Sequence, residues 1–174
     1  MIAVREARPD EYARVGELTV TAYRGLTVDH LWGGYEDEIL DTAARAKGAV
    51  ILVADVDGRV AGAVTYVGDH TSPWSEWTQP GEAQFRLLAV DDTARGQGVG
   101  EALVRACIAR ARTAGKPVVI HTTTWMDAAQ RMYERLGFVR RPDRDVPYEE
   151  WNAASIDGLP DAWRGQPFLA YSLG

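Results

Sequence analysis

The chain has 174 residues, 46% of them hydrophobic and 25% charged, the size and balance of one folded domain and far from disordered or collagen-like compositions. Its net charge of −6 opposes nucleic-acid binding, and no stretch approaches the roughly 18 consecutive apolar residues needed to span a bilayer. One cysteine, Cys107, and three histidines leave no disulfide framework and no zinc-spaced cluster; Cys107 reads as a core residue, and Met1–Glu6 does not resemble a secretory signal, so a cytoplasmic location is expected.

Residues 2–7 read as a strand. Pro9-Asp10-Glu11 then opens a helix to about Tyr23, because proline and acids suit a first helical turn. A second helical pattern covers Asp29 to Lys47, broken near Gly33-Gly34 and closed by Gly48. Ala49–Asp55 and Arg59–Val67 are apolar, β-branched runs joined by Asp57-Gly58, a dipeptide favoured in tight hairpins, which predicts an antiparallel pair. Gly68 to Pro80 is polar and loop-like, and Ala83 to Val90 is another strand. The spacing of Val99, Leu103, Ala106 and Arg110 predicts a helix from about Gly98 to Ala114, stopped by Gly115.

Pro117–Thr122 is a short apolar strand. Asp127 reads as an N-cap, with Gln130 at the capping-box position, opening a helix through Met132, Tyr133 and Leu136 that Gly137 ends. Strands at Phe138-Val139 and Phe168–Leu173 complete the chain. Between them residues 140–167 carry four prolines and two tryptophans, a connection too long for a simple hairpin and of the kind that often serves function. The order β-α-α-β-β-β-α-β-α-β-β implies one domain over residues 1–174, an α/β or α+β fold with a mixed sheet and helices on its faces.

The most informative segment is Arg95-Gly96-Gln97-Gly98-Val99-Gly100, where a strand hands over to a helix. A helix N-terminus exposes unpaired amides and a partial positive charge, and glycines let the backbone approach an anion. A Walker A loop is excluded, because Glu101 and Ala102 follow Gly100 where lysine and serine or threonine are required. A dinucleotide fingerprint is excluded as well: its last glycine would fall on Glu101 or Leu103.

The pattern Arg95-x-x-Gly98-x-Gly100, shortly after the strand Leu88-Ala89-Val90, resembles the coenzyme A pyrophosphate loop of the GNAT superfamily of N-acetyltransferases. The resemblance continues through Val118–Thr122 and Tyr133-Glu134-Arg135-Leu136-Gly137-Phe138, covering about residues 82 to 139. It implies a central mixed sheet splayed open between the strands at 83–90 and 118–122, with helices on both faces. It implies acetyl-CoA as cosubstrate, with no metal, and transfer of its acetyl group to an amine. The cofactor would be held by Leu88, Ala89 and Val90 through their main chains and by Arg95, Gly96, Gln97, Gly98, Val99 and Gly100. Met126 stands where many members carry an asparagine that bonds the cofactor, a departure that Asp127 either compensates or, capping the helix, does not.

The same resemblance makes Tyr133 the general acid, donating to the departing thiolate; packing on the helix face beside Met132 and Leu136 is the alternative. Three readings of the base stay open. Glu82, 13 residues before Arg95, matches the register of histone-type members. His121, 12 residues before Tyr133, stands where acetyltransferases of ribosomal protein N-termini carry a glutamate, and its ordinary pKa suits proton removal near neutrality. Water alone is the third.

Family members contact the acceptor through segments corresponding here to Arg24–Tyr35 and Arg140–Pro167. The second holds Asp143, Asp145, Glu149, Glu150, Asp157 and Asp161 with Trp151 and Trp163, a combination suited to a cation, and Trp74 and Trp77 are placed at the same mouth. The expected acceptor is therefore a small-molecule amine, a peptide N-terminus or a lysine side chain, a cationic one included. No nucleic-acid or membrane partner is expected, and a homodimer is left open. The rival readings are a non-catalytic acyl-CoA sensor or interaction module on the same fold, and a binding domain without a cofactor.

Overall fold

The computed structural model describes residues 1–24, 35–147, 150 and 165–174. In chain order its elements are β1 (Ile2–Glu6), α1 (Tyr12–Arg24), α2 (Tyr35–Leu40), α3 (Thr42–Arg45), β2 (Val50–Val56) and β3 (Arg59–Val67). They continue with β4 (Ala83–Val90), α4 (Val99–Thr113), β5 (Val118–Thr122), α5 (Asp127–Arg135), β6 (Val139–Arg140), β7 (Val146–Pro147) and β8 (Pro167–Leu173). The sheet runs β1-β2-β3-β4-β5-β8-β6, with β7 paired to β8. Every neighbouring pair is antiparallel except β4 and β5, which are parallel.

The predicted hairpin is present. Asp57 and Gly58 both take positive φ, 52° and 80°, the left-handed pair that a two-residue turn needs to match strand twist. Alternation along β2 and β3 then sends side chains to opposite faces. Ile51, Val53 and Ala63 pack with Val15 of α1, whereas Leu52, Ala54, Val64 and Tyr66 pack with Leu103, Val104, Cys107 and Ala111 of α4. The helices thus cover both faces, and Cys107 is fully buried. Gly62 is what lets α4 sit so close: a Cβ there would lie 2.7 Å from Val99 Cγ1 and 3.0 Å from the Ala89 carbonyl oxygen. That approach places the start of α4 directly over β3 and β4.

Three local expectations are corrected. The N-cap of α5 is Met126, with Asp127 as the first helical residue; the Met126 N–H bonds the Thr123 carbonyl at 3.3 Å, so the turn closes one residue earlier. Gln130 serves no capping box, because its amide donates to the Thr123 and Thr124 carbonyls at 2.9 and 3.3 Å. Asp127 still lies in the first turn, where its charge suits the helix dipole. The second helical pattern divides into α2 and α3, the latter capped by the Asp41 carboxylate accepting from the Ala44 N–H at 2.9 Å; Gly33-Gly34 lie outside the described residues. Last, β7 interrupts the long connection before β8. Two residues, one of them proline, carry no periodicity from which a strand could be read. Among the described residues no helix is long and apolar enough to cross a membrane.

Candidate active site

The parallel pairing of β4 and β5 is short. Only Ala83 with Val118 and Gln84 with Val119 are in register, and beyond them the strands part. Among the described residues the edge of β4 that faces β5 therefore has no ladder partner from Phe85 onward, an open row of donors and acceptors of the kind an extended chain can join. A bulge sharpens the opening. In β4 both Leu87 and Leu88 stand opposite Val64 of β3, and Leu87 takes φ 53°, a left-handed conformation that costs a branched residue roughly 1–2 kcal/mol. Bulges of this kind bend a strand and re-aim its groups beside functional sites.

A cavity of about 900 Å³ fills the gap. The glycine loop forms one end, and α5 and the C-terminal half of β5 form a side wall. Gly96 and Gly98 take φ of 75° and 85°, values a side chain would oppose, and Gly98 is the N-cap of α4. The first helical bond is from the Ala102 N–H to the Gly98 carbonyl at 2.9 Å, so the amides of Val99, Gly100 and Glu101 have no helical acceptor. Gln97 points away, donating to the Thr93 carbonyl at 2.9 Å, and is absent from the cavity wall. Arg95 lines the cavity and pairs with Asp92 at 2.8 Å. Glu101, at the same mouth, is paired by Arg105 and Arg135 at 2.8 and 2.7 Å, which hold its carboxyl below the usual range. An acid beside an anion site is thereby neutralised. Arg131 also faces the cavity.

Leu88, Ala89, Val90, Met126 and Tyr133 all line the same space. The Met126 sulfur accepts from the Thr122 hydroxyl at 3.5 Å. Tyr133 is 6% exposed, with its ring among Phe85, Phe138 and Tyr171 at centroid distances of 5.8 to 6.3 Å. Burial pushes its phenol up, so it stays protonated near neutrality. The packing and chemical readings of this residue are both compatible with the geometry, since the ring is in the core and the residue borders the cavity.

The two carboxylate and imidazole candidates separate. His121 lines the cavity; its Nε2 lies 3.2 Å from the Arg144 carbonyl, its Nδ1 is buried without a hydrogen-bond partner among the described residues, and burial lowers its pKa below the ordinary value. Glu82 does not line the cavity. Its carboxylate accepts from both terminal nitrogens of Arg144, at 2.6 and 3.0 Å, and from the Gln79 N–H at 2.8 Å. Despite burial, which raises it, these bonds hold its carboxyl below the usual range.

The far end of the cavity is made of Tyr23, Tyr35, Glu76, Trp77, Arg86 and Phe168. Arg86 pairs with Glu76 at 2.8 Å and donates to the Trp74 carbonyl at 3.2 Å, and Gln84 exchanges bonds with the Glu76 main chain at 3.0 Å. Sequence reasoning missed Glu76, Arg86, Tyr23 and the buried hydroxyl of Thr123, which has no hydrogen-bond partner among the described residues. A charged residue inside the largely apolar strand 83–90 was the available signal for Arg86. Trp77 lines the cavity, but Trp74 does not and lies against Gly48 instead. Among the described acids of the last connection, Asp143 pairs with Arg141 at 2.8 Å and Asp145 with Arg140 at 2.6 Å; Glu149, Trp151, Asp157, Asp161 and Trp163 lie outside the described residues, as do residues 25–34. No cluster of three or more His, Cys, Asp or Glu suited to a metal occurs among the described residues.

The site is thus a cleft at a parallel-strand split of an α/β fold, with free helix-start amides at the glycine loop and an unpaired strand edge among the described residues. The sequence profile of the acetyltransferase (GNAT) family matches residues 12–138, and the chain belongs to that family. No curated protein matches its sequence. Among solved structures, a protein from Desulfovibrio desulfuricans assigned to the GNAT family superposes with a TM-score of 0.70 at 19% identity, over 99% of this chain and 98% of the other. One from Salmonella typhimurium, described as an acetyltransferase with its cofactor acetyl-CoA, gives 0.67 at 18% identity over 99% and 93%. A GNAT-family acetyltransferase from Brucella melitensis in complex with acetyl-CoA gives 0.60 at 24% identity over 80% and 83%. These likenesses establish the fold, including the mixed sheet expected from the sequence.

Proposed function

We propose that the protein is an N-acetyltransferase that moves an acetyl group from acetyl-CoA to a primary amine. The observation that carries this is the convergence on one cavity of helix-start amides, a buried phenol and an imidazole with one nitrogen that has no hydrogen-bond partner among the described residues. The residues present suit the cosubstrate: the amides of Val99, Gly100 and Glu101 and the Arg95 and Arg131 guanidiniums are donors for its phosphates, and the open edge of β4 offers main-chain partners for its pantetheine arm. Bound there, acetyl-CoA would supply an activated thioester. Gly96, Gly98 and Val99 belong to the same cradle. Gln97 is outside it, since its side chain is tied to the Thr93 carbonyl and the residue does not line the cavity.

Tyr133 would give its phenolic proton to the departing sulfur. His121, neutral near pH 7 because burial disfavours its charged form, would take a proton from the amine as the new C–N bond forms and the C–S bond breaks. Glu82 is the weaker base, its carboxylate being held by Arg144 and away from the cavity wall. Main-chain amides of β4 would polarise the carbonyl. The acceptor is a small-molecule or peptide amine entering past Trp77 and Phe168, with Glu76 and Arg86 as the charged pair it meets.

The test is release of free CoA from acetyl-CoA across a panel of primary amines, in wild type and Tyr133→Phe. Turnover in the wild type and its collapse in the variant are expected. Tight CoA binding with no turnover on any amine would overturn the reading and favour a non-catalytic acyl-CoA-binding module.

A further inference from the structure

We infer that the Arg144–Glu82 ion pair is a positioning device, which holds the main chain at Arg144 so that His121 keeps its lone pair on Nδ1, and holds Trp77 against the same ring. It rests on the reading of His121 as the proton acceptor.

The pair is forked and nearly closed to water. Arg144 Nη1 donates to Glu82 Oε1 at 2.6 Å and Nη2 to Oε2 at 3.0 Å, and the two side chains are 12% and 13% exposed. The residues are 62 positions apart, so the pair ties the start of β4 to the connection before β8. A second fork secures the other side of that segment. Arg140 donates to both oxygens of Asp145 at 2.6 Å, and Asp145 accepts from the Ala170 N–H at 2.9 Å. Ala170 is the register partner of His121, so the segment is fixed relative to the imidazole from both ends.

The consequence for His121 follows from hydrogen-bond chemistry. The Arg144 carbonyl 3.2 Å from Nε2 can only accept, so Nε2 carries the hydrogen. In a neutral imidazole the other nitrogen is then the acceptor. That nitrogen, Nδ1, is buried and has no partner among the described residues. Without the fork, the Arg144 side chain would keep only its bond to the Trp77 carbonyl, a single tie that holds its main chain less firmly toward Nε2, and the two tautomers would compete.

The consequence for Trp77 is steric. Its φ of 55° is left-handed, a conformation bulky residues adopt only where their surroundings impose it. Arg144 Nη2 also donates to the Trp77 carbonyl at 3.1 Å. The Trp77 ring meets His121 edge-on with centroids 5.0 Å apart and Phe168 at 5.2 Å. One guanidinium thus sets both the hydrogen bond that fixes the tautomer and the wall that limits how the ring turns. The charged groups facing His121 are Arg144, which lowers its pKa, and Asp145 and Glu82, which raise it; burial, lowering it, is the largest influence.

The experiment compares Arg144→Ala, Arg144→Lys, Glu82→Gln, Glu82→Ala and the double Arg144→Ala/Glu82→Ala in full-length protein. It reads kcat, KM for acetyl-CoA, the pH profile of kcat/KM, and the His121 tautomer by 15N NMR. Arg144→Ala should lower kcat about 10- to 100-fold, as expected for a misplaced catalytic group, with KM for acetyl-CoA unchanged. The acid limb should move up toward the ordinary histidine value as the ring gains water. Arg144→Lys, which keeps the charge without the fork, should recover only part of the loss, and Glu82→Gln should fall between wild type and Arg144→Ala. The double variant should be no slower than Arg144→Ala alone.

A further loss of about 10-fold or more in the double variant would show Glu82 acting by itself and overturn the proposal. So would a wild-type spectrum with the hydrogen on Nδ1, a measurement that needs no variant to fold, or an unchanged profile in Arg144→Ala. Normal kcat in His121→Asn would instead remove the reading beneath it, leaving the tautomer result to judge the positioning alone.

Discussion

At the α4 end of the cleft the groups offered to the cavity are main-chain amides at Val99–Glu101, set by two left-handed glycines within a few residues. At the β5 end they are side chains, His121 and Tyr133, whose surroundings come from β4, the connection before β8, and β8 itself. The difference teaches where each half is vulnerable. A site made of backbone survives most side-chain changes and fails where φ must be positive. A site made of side chains fails when one partner is removed, near or far in sequence.

The largest effect should separate the halves most clearly. Tyr133→Phe deletes one oxygen and is expected to lower kcat about 10²- to 10³-fold, while the rise in melting temperature on adding CoA stays as in wild type, because that rise reports binding to the native state. Loss of both together would mean that Tyr133 is part of the binding half.

Next comes His121. His121→Asn should cost about 10²-fold in kcat, and the wild-type pH profile carries a sign. The depressed pKa means the neutral, active form persists below the ordinary value near 6.5, so kcat/KM should be full at pH 7 and fall only as pH drops through that lowered pKa. An acid limb above 6.5 would assign the titration to another group.

On the backbone side, Gly98→Val puts a branched residue at φ 85°, a strain of roughly 1–2 kcal/mol, and crowds the amides. KM for acetyl-CoA should rise about 10-fold with little change in amine KM. The smallest effect belongs to Gln97→Ala. An exposed side chain bonded only to the Thr93 carbonyl should be worth under about 0.5 kcal/mol in thermal unfolding, with kinetics unaltered. A large kinetic effect there would break the distinction between the halves.

The sequence was legible where the physics is local. The Asp57-Gly58 turn, strand 83–90, the glycine run and the helix over Tyr133 each show their cause within a few residues, as left-handed turn chemistry or apolar spacing. Asp127 was misread for a related reason: an acid near a helix start looks like a cap, but the turn from Met126 to Thr123 had already closed. The bulge at Leu87 left no mark, because a leucine carries no sign that its φ will be 53°.

Glu82 shows the limit best. Its register before Arg95 suggested a base, yet its carboxylate is held by an arginine 62 residues away. By itself the sequence determined the family, the mixed α/β fold, and the glycine loop whose amides need only glycine and a helix start to be exposed. The tertiary structure alone decided that β4 and β5 part after two pairs, that His121 and not Glu82 borders the cavity, and that Arg144 lies behind both. Those facts depend on strand register and on side chains meeting across the sheet, interactions to which no local pattern of residues corresponds.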